Sequence, residues 1–292
     1  MANNRLNPLN DYLFFKIMGE KGDEEQLCAF LNAVLGRDGQ AVRHDPIESV
    51  EIIENKTLSA EILGDKTSIL DVRARTCRGE RANIEVQLRN QGNMDRRSLF
   101  YWSSEFSRGM EAGWDYREAP NVIAINIVNY EFLPGIPEFY TSFHIWEDRQ
   151  RVLLTEALEI HFIDMVKFRC MAERDIRNDP LQRWLTWFDR ESPQPLVEEA
   201  MKMDAAIQKA AEKMEYVTID KEALRVYQMR EMALSDWTSG LNHAREEGEK
   251  TGWKKGREEG KWEVAAKMRR RGVPMSQIAE DTGLSVEDIA KL

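Results

Sequence analysis

SILDVRARTCRGERANIEVQL, residues 68–88, decides how this chain folds. Residues 68–76 and 80–88 each alternate with the period of a strand, and Cys77-Arg78-Gly79 between them offers a three-residue turn. Glycine at the third turn position suits the left-handed conformation that such a loop needs. Pairing Thr76 with Glu80 sets Asp71 opposite Glu85. Successive side chains of a strand point to opposite faces. One face therefore carries Leu70, Val72, Ala74, Ala82, Ile84, Val86 and Leu88, and reads as core. The other carries Asp71, Arg73, Arg75, Asn83, Glu85 and Gln87. Two carboxylates directly opposite each other repel. Either a divalent cation lies between Asp71 and Glu85, or the face is solvated and Arg73 or Arg75 bridges the acids. Spacing alone leaves both readings open.

The chain around this hairpin has 292 residues, enough for one sizeable domain and a smaller one. With 42% hydrophobic and 32% charged residues it reads as soluble and globular. No apolar run approaches the roughly 18–20 residues of a membrane span, so no membrane partner is expected. The start, MANNRLNPLNDYLFFKIM, lacks the basic region and apolar stretch of a signal peptide. Cys28, Cys77 and Cys170 lack metal-ligand spacing, which fits a reducing cytoplasm. Histidines form no cluster along the sequence, which argues against zinc. The formal net charge of −10 argues against nucleic-acid binding by the whole surface. A nuclease here needs a local basic patch, or metal ions that offset its acids.

Pro8 to Leu35 reads as one amphipathic helix or two in series, with Asn10 or Asp11 as N-cap and Gly36 as stop. A strand is expected at 46–53, and a helix at 94–112 with Leu99, Phe100, Trp102, Phe106 and Met110 as its apolar stripe. NVIAINIV, 121–128, suits a strand covered on both faces, and further strands are expected at 139–146 and 158–168. Strands flanked by helices make an α/β sandwich. From about 172 to 240 the pattern is helical only, with an apolar cluster at Trp184, Leu185, Trp187 and Phe188. Gly248, Gly252, Gly256 and Gly260 then recur every fourth residue. Each costs a helix about 0.5–1 kcal/mol in water, so residues 241–262 read as a linker or a marginal, self-associating helix. In the tail, Val264–Arg271 and Gln277–Thr282 read as helices, Gly283-Leu284 as a turn, and Ser285 with Asp288 as the capping box of a last helix. Ile278, Ala279, Leu284, Ile289 and Leu292 would form its small core. The arrangement is that of a helix-turn-helix, although Glu287 and Asp288 stand where phosphates should approach. DNA reading and protein contacts remain equal alternatives for it.

Taken in order, these segments resemble the PD-(D/E)XK nuclease superfamily, in its branch of recombination-promoting or transposase-like nucleases. NDYLFFKIM resembles the opening helix, with Asn10, Asp11, Phe15 and Lys16; SILDVRA supplies the Asp, and IEVQL a Glu-X-Gln in place of Glu-X-Lys. DRRSLFYWSSEFSRGMEAGWDY resembles the following helix, with Arg97, Tyr101 and Gly113, and NVIAINIVNY and LEIHFIDMVKF the later strands. The tail also resembles that of such proteins. The resemblance implies a restriction-endonuclease-like α/β/α core with a mixed sheet at 1–170. A helical region at 171–240, the glycine-spaced helix or linker at 241–262 and the tail at 263–292 complete an all-α C-terminal part. It implies a metal-dependent DNA endonuclease tied to DNA recombination or mobile elements; a catalytically degenerate DNA- or protein-binding module of the same fold is the alternative. Asp71 and Glu85 would bind magnesium with the backbone carbonyl of Val86, and Asp11 is an accessory ligand or simply a helix cap. Gln87 takes the place of a lysine that orients the attacking water; it can hold a water but brings no charge. Lys16, Arg96, Arg97 and Tyr101 are the expected DNA contacts. Cutting both strands with one site per chain would call for a homodimer.

Overall fold

The computed structural model describes residues 5–37, 40, 42–53, 71–110, 113 and 115–292. Asn10 accepts the Leu13 amide and opens helix α1 (Asp11–Met18), and α2 (Glu24–Leu35) follows, capped by Gly36. The amphipathic stretch is thus two helices. The described strands are β1 (Val50–Ile52), β2 (Val72–Thr76), β3 (Arg81–Gln87), β4 (Val122–Val128), β5 (Tyr140–Phe143) and β6 (Leu158–Asp164). They form one mixed sheet in the order β1-β2-β3-β4-β6-β5. β1, β2 and β3 are antiparallel, β3, β4 and β6 run parallel, and β5 returns antiparallel at the edge.

Helices cover both faces. Ile84, Val86, Ile123, Ile125, Ile127 and Ile163 join one large core with α1 and α2. On the other face Met94, at the start of α3 (Met94–Arg108), packs with Ala124, Val128, Leu158, Ile160 and Phe162. β4 is buried along its whole length, which is why its sequence is an almost unbroken apolar run. α3 ends sooner than its sequence pattern suggests, at the Gly109 cap, which lies so close to Pro120 that a Cβ there would stand 2.3 Å from the proline ring. β6 also stops early. Asp164 accepts the amides of Val166 and Lys167 and starts α4 (Met165–Arg169) where continued strand was expected.

The helices beyond residue 171 do not form a separate body. Asp179 caps α5 (Pro180–Phe188), with proline in its first turn. Trp184, Leu185, Trp187 and Phe188 are fully buried in the same core as Phe14 and Phe30. α6 (Gln194–Met203) and α7 (Ala205–Ile219) add Val197, Ile207 and Ala210 to it. The first compact unit therefore runs from Met1 to Met232, past the boundary expected at 170 and short of the one expected at 240.

The second unit is Ala233–Leu292. Residues 241–262 lie inside α8 (Lys221–Arg270), so the glycine-spaced stretch is helix and not linker. α9 (Met275–Thr282) and α10 (Val286–Ala290) follow, joined through Gly283 at φ 70°. Ser285 accepts the Asp288 amide as the capping box requires. Ala265, Ile278 and Ile289 are the buried centre, whereas Leu292 is 43% exposed and outside it. Among the described residues no helix is long and apolar enough to cross a membrane.

The fold also assembles histidines that the sequence scatters. Glu159 and His161 share the face of β6 that carries Ile163. His44 Nε2 lies 2.8 Å from Glu159 Oε2, His161 Nε2 3.0 Å from Glu159 Oε1, and Tyr140 Oη 2.8 Å from His161 Nδ1. Glu80 stands 3.8 Å from His44 Nδ1. Burial disfavours the Glu159 charge, but hydrogen bonds from His161 and His44 outweigh it and bring the carboxyl down to about 2. Burial likewise opposes protonation of His44, and Glu159 and Glu80 overcome it, raising its pKa. The raised value means stability present below the ordinary histidine pKa and lost as pH rises through the folded value. His44→Gln should therefore cost about 2 kcal/mol at pH 5.5 and clearly less at pH 8.5, measured by urea unfolding. Equal losses at both pH values would show that His44 is neutral in the fold.

Candidate active site

The register of the hairpin determines what meets what. Val72 pairs with Ile84, Arg73 with Asn83, Ala74 with Ala82 and Arg75 with Arg81, and the Thr76 amide donates to Glu80 O at the turn. Gly79, at φ 87°, takes the left-handed turn position. One step beyond Val72 the same register brings Asp71 opposite Glu85, as the sequence implied. Leu70, expected on the core face, lies outside the described residues.

The acidic face is not solvated. α3 crosses it, and charges from helix and strands interlock beneath. Arg97 Nε donates to Glu85 Oε1 at 2.7 Å, and its Nη2 donates to Tyr101 Oη at 3.1 Å. Its guanidinium also lies over the Tyr101 ring, 5.3 Å from the centroid. Two turns further along α3, Glu105 receives Arg73 at 2.6 Å and Arg81 at 2.8 Å from the strands, and Arg108 at 3.1 Å from its own helix. Burial works against the Glu105 charge, but hydrogen bonds from Arg73 and Arg81 hold its carboxyl below the ordinary range. Arg75 pairs with Glu51 on β1.

Glu85 is fully buried. Burial pushes its pKa up to about 6; Arg97 pulls it down, and the neighbouring charge of Asp71 adds to the rise. Its second oxygen, Oε2, is buried without a hydrogen-bond partner. Leaving such an acceptor unpaired costs on the order of 1–3 kcal/mol. Burial together with the Glu85 charge also raises the hydroxyls of Tyr101 and of Tyr130, the latter to about 12. Asp71, Glu85, Arg97, Tyr101 and Tyr130 thus form one electrostatic group. Tyr130 was not among the expected site residues; it lies just beyond β4, and no spacing in the sequence links it to Glu85.

The other expected residues are placed differently. Gln87 is buried two positions along β3, on the Glu85 side of the strand. Arg81 and Gln87 bond across to the β4 side through their backbones, so the alternating Val86 carbonyl turns toward the β2 side. Asp11 does not cap α1, since Asn10 does; Asp11 Oδ2 accepts from Arg230 at 2.6 Å, and Arg89 adds to its field. Lys16 pairs with Glu20, four residues on and just beyond the end of its helix, beside Lys213. Arg96 is exposed on α3. The structure gathers Asp71, Glu85, Arg97 and Tyr101, whereas Asp11 and Lys16 pair with Arg230 and Glu20.

The donor chemistry suits a hard divalent cation. Two carboxylates and a backbone carbonyl are all-oxygen ligands of the kind magnesium takes, with waters completing its shell. The unpartnered Glu85 Oε2 is an acceptor that such a cation would satisfy. Among the described residues no group of three or more His, Cys, Asp and Glu side chains is arranged to hold a metal. Removing Arg97 leaves Glu85 buried and uncompensated. Arg97→Ala should cost about 3–5 kcal/mol in denaturant unfolding, and Glu85→Gln in the same chain should recover much of it. Additive effects of the two changes would show the pair to be uncoupled.

A family model described as PD-(D/E)XK nuclease family transposase matches residues 8–244 of the chain. No curated protein and no solved structure matches it.

Proposed function

The chain belongs to the PD-(D/E)XK nuclease family transposases, and from that premise we propose that it is a magnesium-dependent DNA endonuclease acting in DNA recombination or in mobile elements. The observation that carries this is Glu85, a fully buried carboxylate across from Asp71 with one oxygen held by Arg97 and the other unpartnered. Asp71, Glu85 and the Val86 carbonyl would hold the cation. When bound, it supplies Lewis acidity toward water and toward the scissile phosphate.

The remaining work falls to the chain. Arg97 fixes one Glu85 oxygen and so determines which one is left to bind. Tyr101 in turn steadies the guanidinium. Gln87, a neutral donor and acceptor, can hold and orient a water but brings no positive charge. Arg97 brings positive charge to Glu85 from the helix, where residue 87 supplies none from the strand. Arg96, exposed on the same helix, is available to backbone phosphates.

The same Arg97–Glu85 pair favours a second reading. A carboxylate that already has a counter-ion needs a metal less, and a degenerate site that binds DNA without cutting it would look like this. Plasmid nicking separates the two. Wild type should nick supercoiled DNA with magnesium and not with EDTA, and Asp71→Ala and Glu85→Gln should each lower the rate at least 100-fold. Activity that survives both substitutions rules out this site; DNA retention without any cleavage by wild type establishes the degenerate module. Cutting of both strands would further call for two copies of the chain, visible as a dimer in size-exclusion chromatography with light scattering.

A further inference from the structure

The net charge of −10 is unevenly distributed. Residues 250–271 hold nine Lys or Arg against three Glu, in a chain with 51 acidic and 41 basic side chains. This stretch lies on α8, and residues 250–259 are exposed throughout. Lys250, Lys254, Arg257 and Lys261 stand at i, i+4, i+7 and i+11, which places them in one stripe along the helix. Gly248 and Gly252 face away from the stripe and Gly256 and Gly260 turn progressively back toward its edge, each with nothing within 4 Å of where a Cβ would be. Of the acids on this helix Glu249 takes Arg245 and Glu263 takes Lys267, while Glu246, Glu247 and Glu258 flank the stripe and reduce its net charge. Lys250, Lys254 and Lys261 form no salt bridge among the described residues. Arg257 lies over the exposed Trp253 ring at 5.4 Å.

We propose that this stripe is a docking surface for the phosphate backbone of duplex DNA. The inference rests on the nuclease reading for its choice of polyanion, and on charge for the surface itself. From Lys250 to Lys261 the helix rises about 16 Å, the length of about five nucleotide steps of one strand at 3.4 Å each. The stripe continues at the same spacing into Ala265 and Met268, where α9 and α10 pack through Ile278 and Ile289. Lys261 sits at that junction, its Nζ 3.4 Å from where a Cβ of Gly283 would stand. The tail therefore seats the end of the basic stripe. Its last helix opens with Glu287 and Asp288 and presents acid, not base, at its start. Arg269 is committed to the carbonyls of Ile289 and Ala290, locking that helix down. Backbone binding by the long helix, with no base reading by the last one, is what this division of charge favours.

The test uses the full chain and a 30-base-pair duplex in EDTA, so that binding is read without cleavage. Fluorescence anisotropy is followed from about 50 to 200 mM salt. With Lys250, Lys254, Arg257 and Lys261 all changed to Gln, affinity should fall at least tenfold at low salt, and the slope of log affinity against log salt should drop by about 3–4, near 0.9 per lost phosphate contact. All-lysine-to-arginine changes at 250, 254 and 261 should keep wild-type binding, which guards against simple misfolding. Unchanged affinity and slope in the Gln variant overturn the proposal while leaving nicking, and its dependence on Asp71, as a separate matter. Sedimentation with phosphatidylserine vesicles, if it captures the wild type when DNA does not, overturns it in favour of a membrane surface.

Discussion

Arg97 and Glu85 set the constraint on which the acidic face of the sheet depends. A carboxylate with no exposure can stay in a folded core only with a counter-charge or a change of protonation. α3 provides the counter-charge, and further along it receives one in return, since Glu105 takes Arg73 and Arg81 from the strands. Helix and hairpin thus exchange opposite charges at two places. Each pair fixes the rotation of α3 about its axis, because a helix turned by one residue would set these side chains about 100° away. Placement of the candidate site and placement of the helix are therefore one problem with one solution.

The two faces of the sheet use polar groups differently. On the α3 face a single arginine meets a single carboxylate and leaves one oxygen unsatisfied. On the α1–α2 face, Glu159 is bridged by two imidazoles, with Tyr140 behind one of them. Glu85 thus has one charged partner set against its burial and Glu159 has two imidazoles, while each carboxylate keeps one oxygen without a hydrogen bond. That contrast is why Glu85 is pushed up to about 6 while Glu159 is brought down to about 2.

Charge on a larger scale follows the same separation. An acidic protein can serve a polyanionic substrate only if its basic groups are grouped, and the grouping occurs on α8. There Lys250, Lys254, Arg257 and Lys261 share one stripe of a helix of which little is buried.

The sequence determined by itself the hairpin, its turn, its register and the pairing of Asp71 with Glu85, since alternation and a well-placed glycine are local properties. It determined the buried β4 in the same way, and the capping boxes and helix starts, which depend on residues three or four positions apart. What covers the acidic face was not legible, because Arg97 and Glu105 reach it only through the packing of α3. The clasp at Glu159 was equally hidden: His44 and His161 are 117 positions apart and carry no shared spacing. Asp11, offered by the sequence as an accessory ligand or a helix cap, is met by Arg230 from more than two hundred residues away. Local pattern fixes which groups a strand presents on one side. Only tertiary packing decides which charges stand across from them, because a buried ion pair is chosen by distance in space and not by distance along the chain.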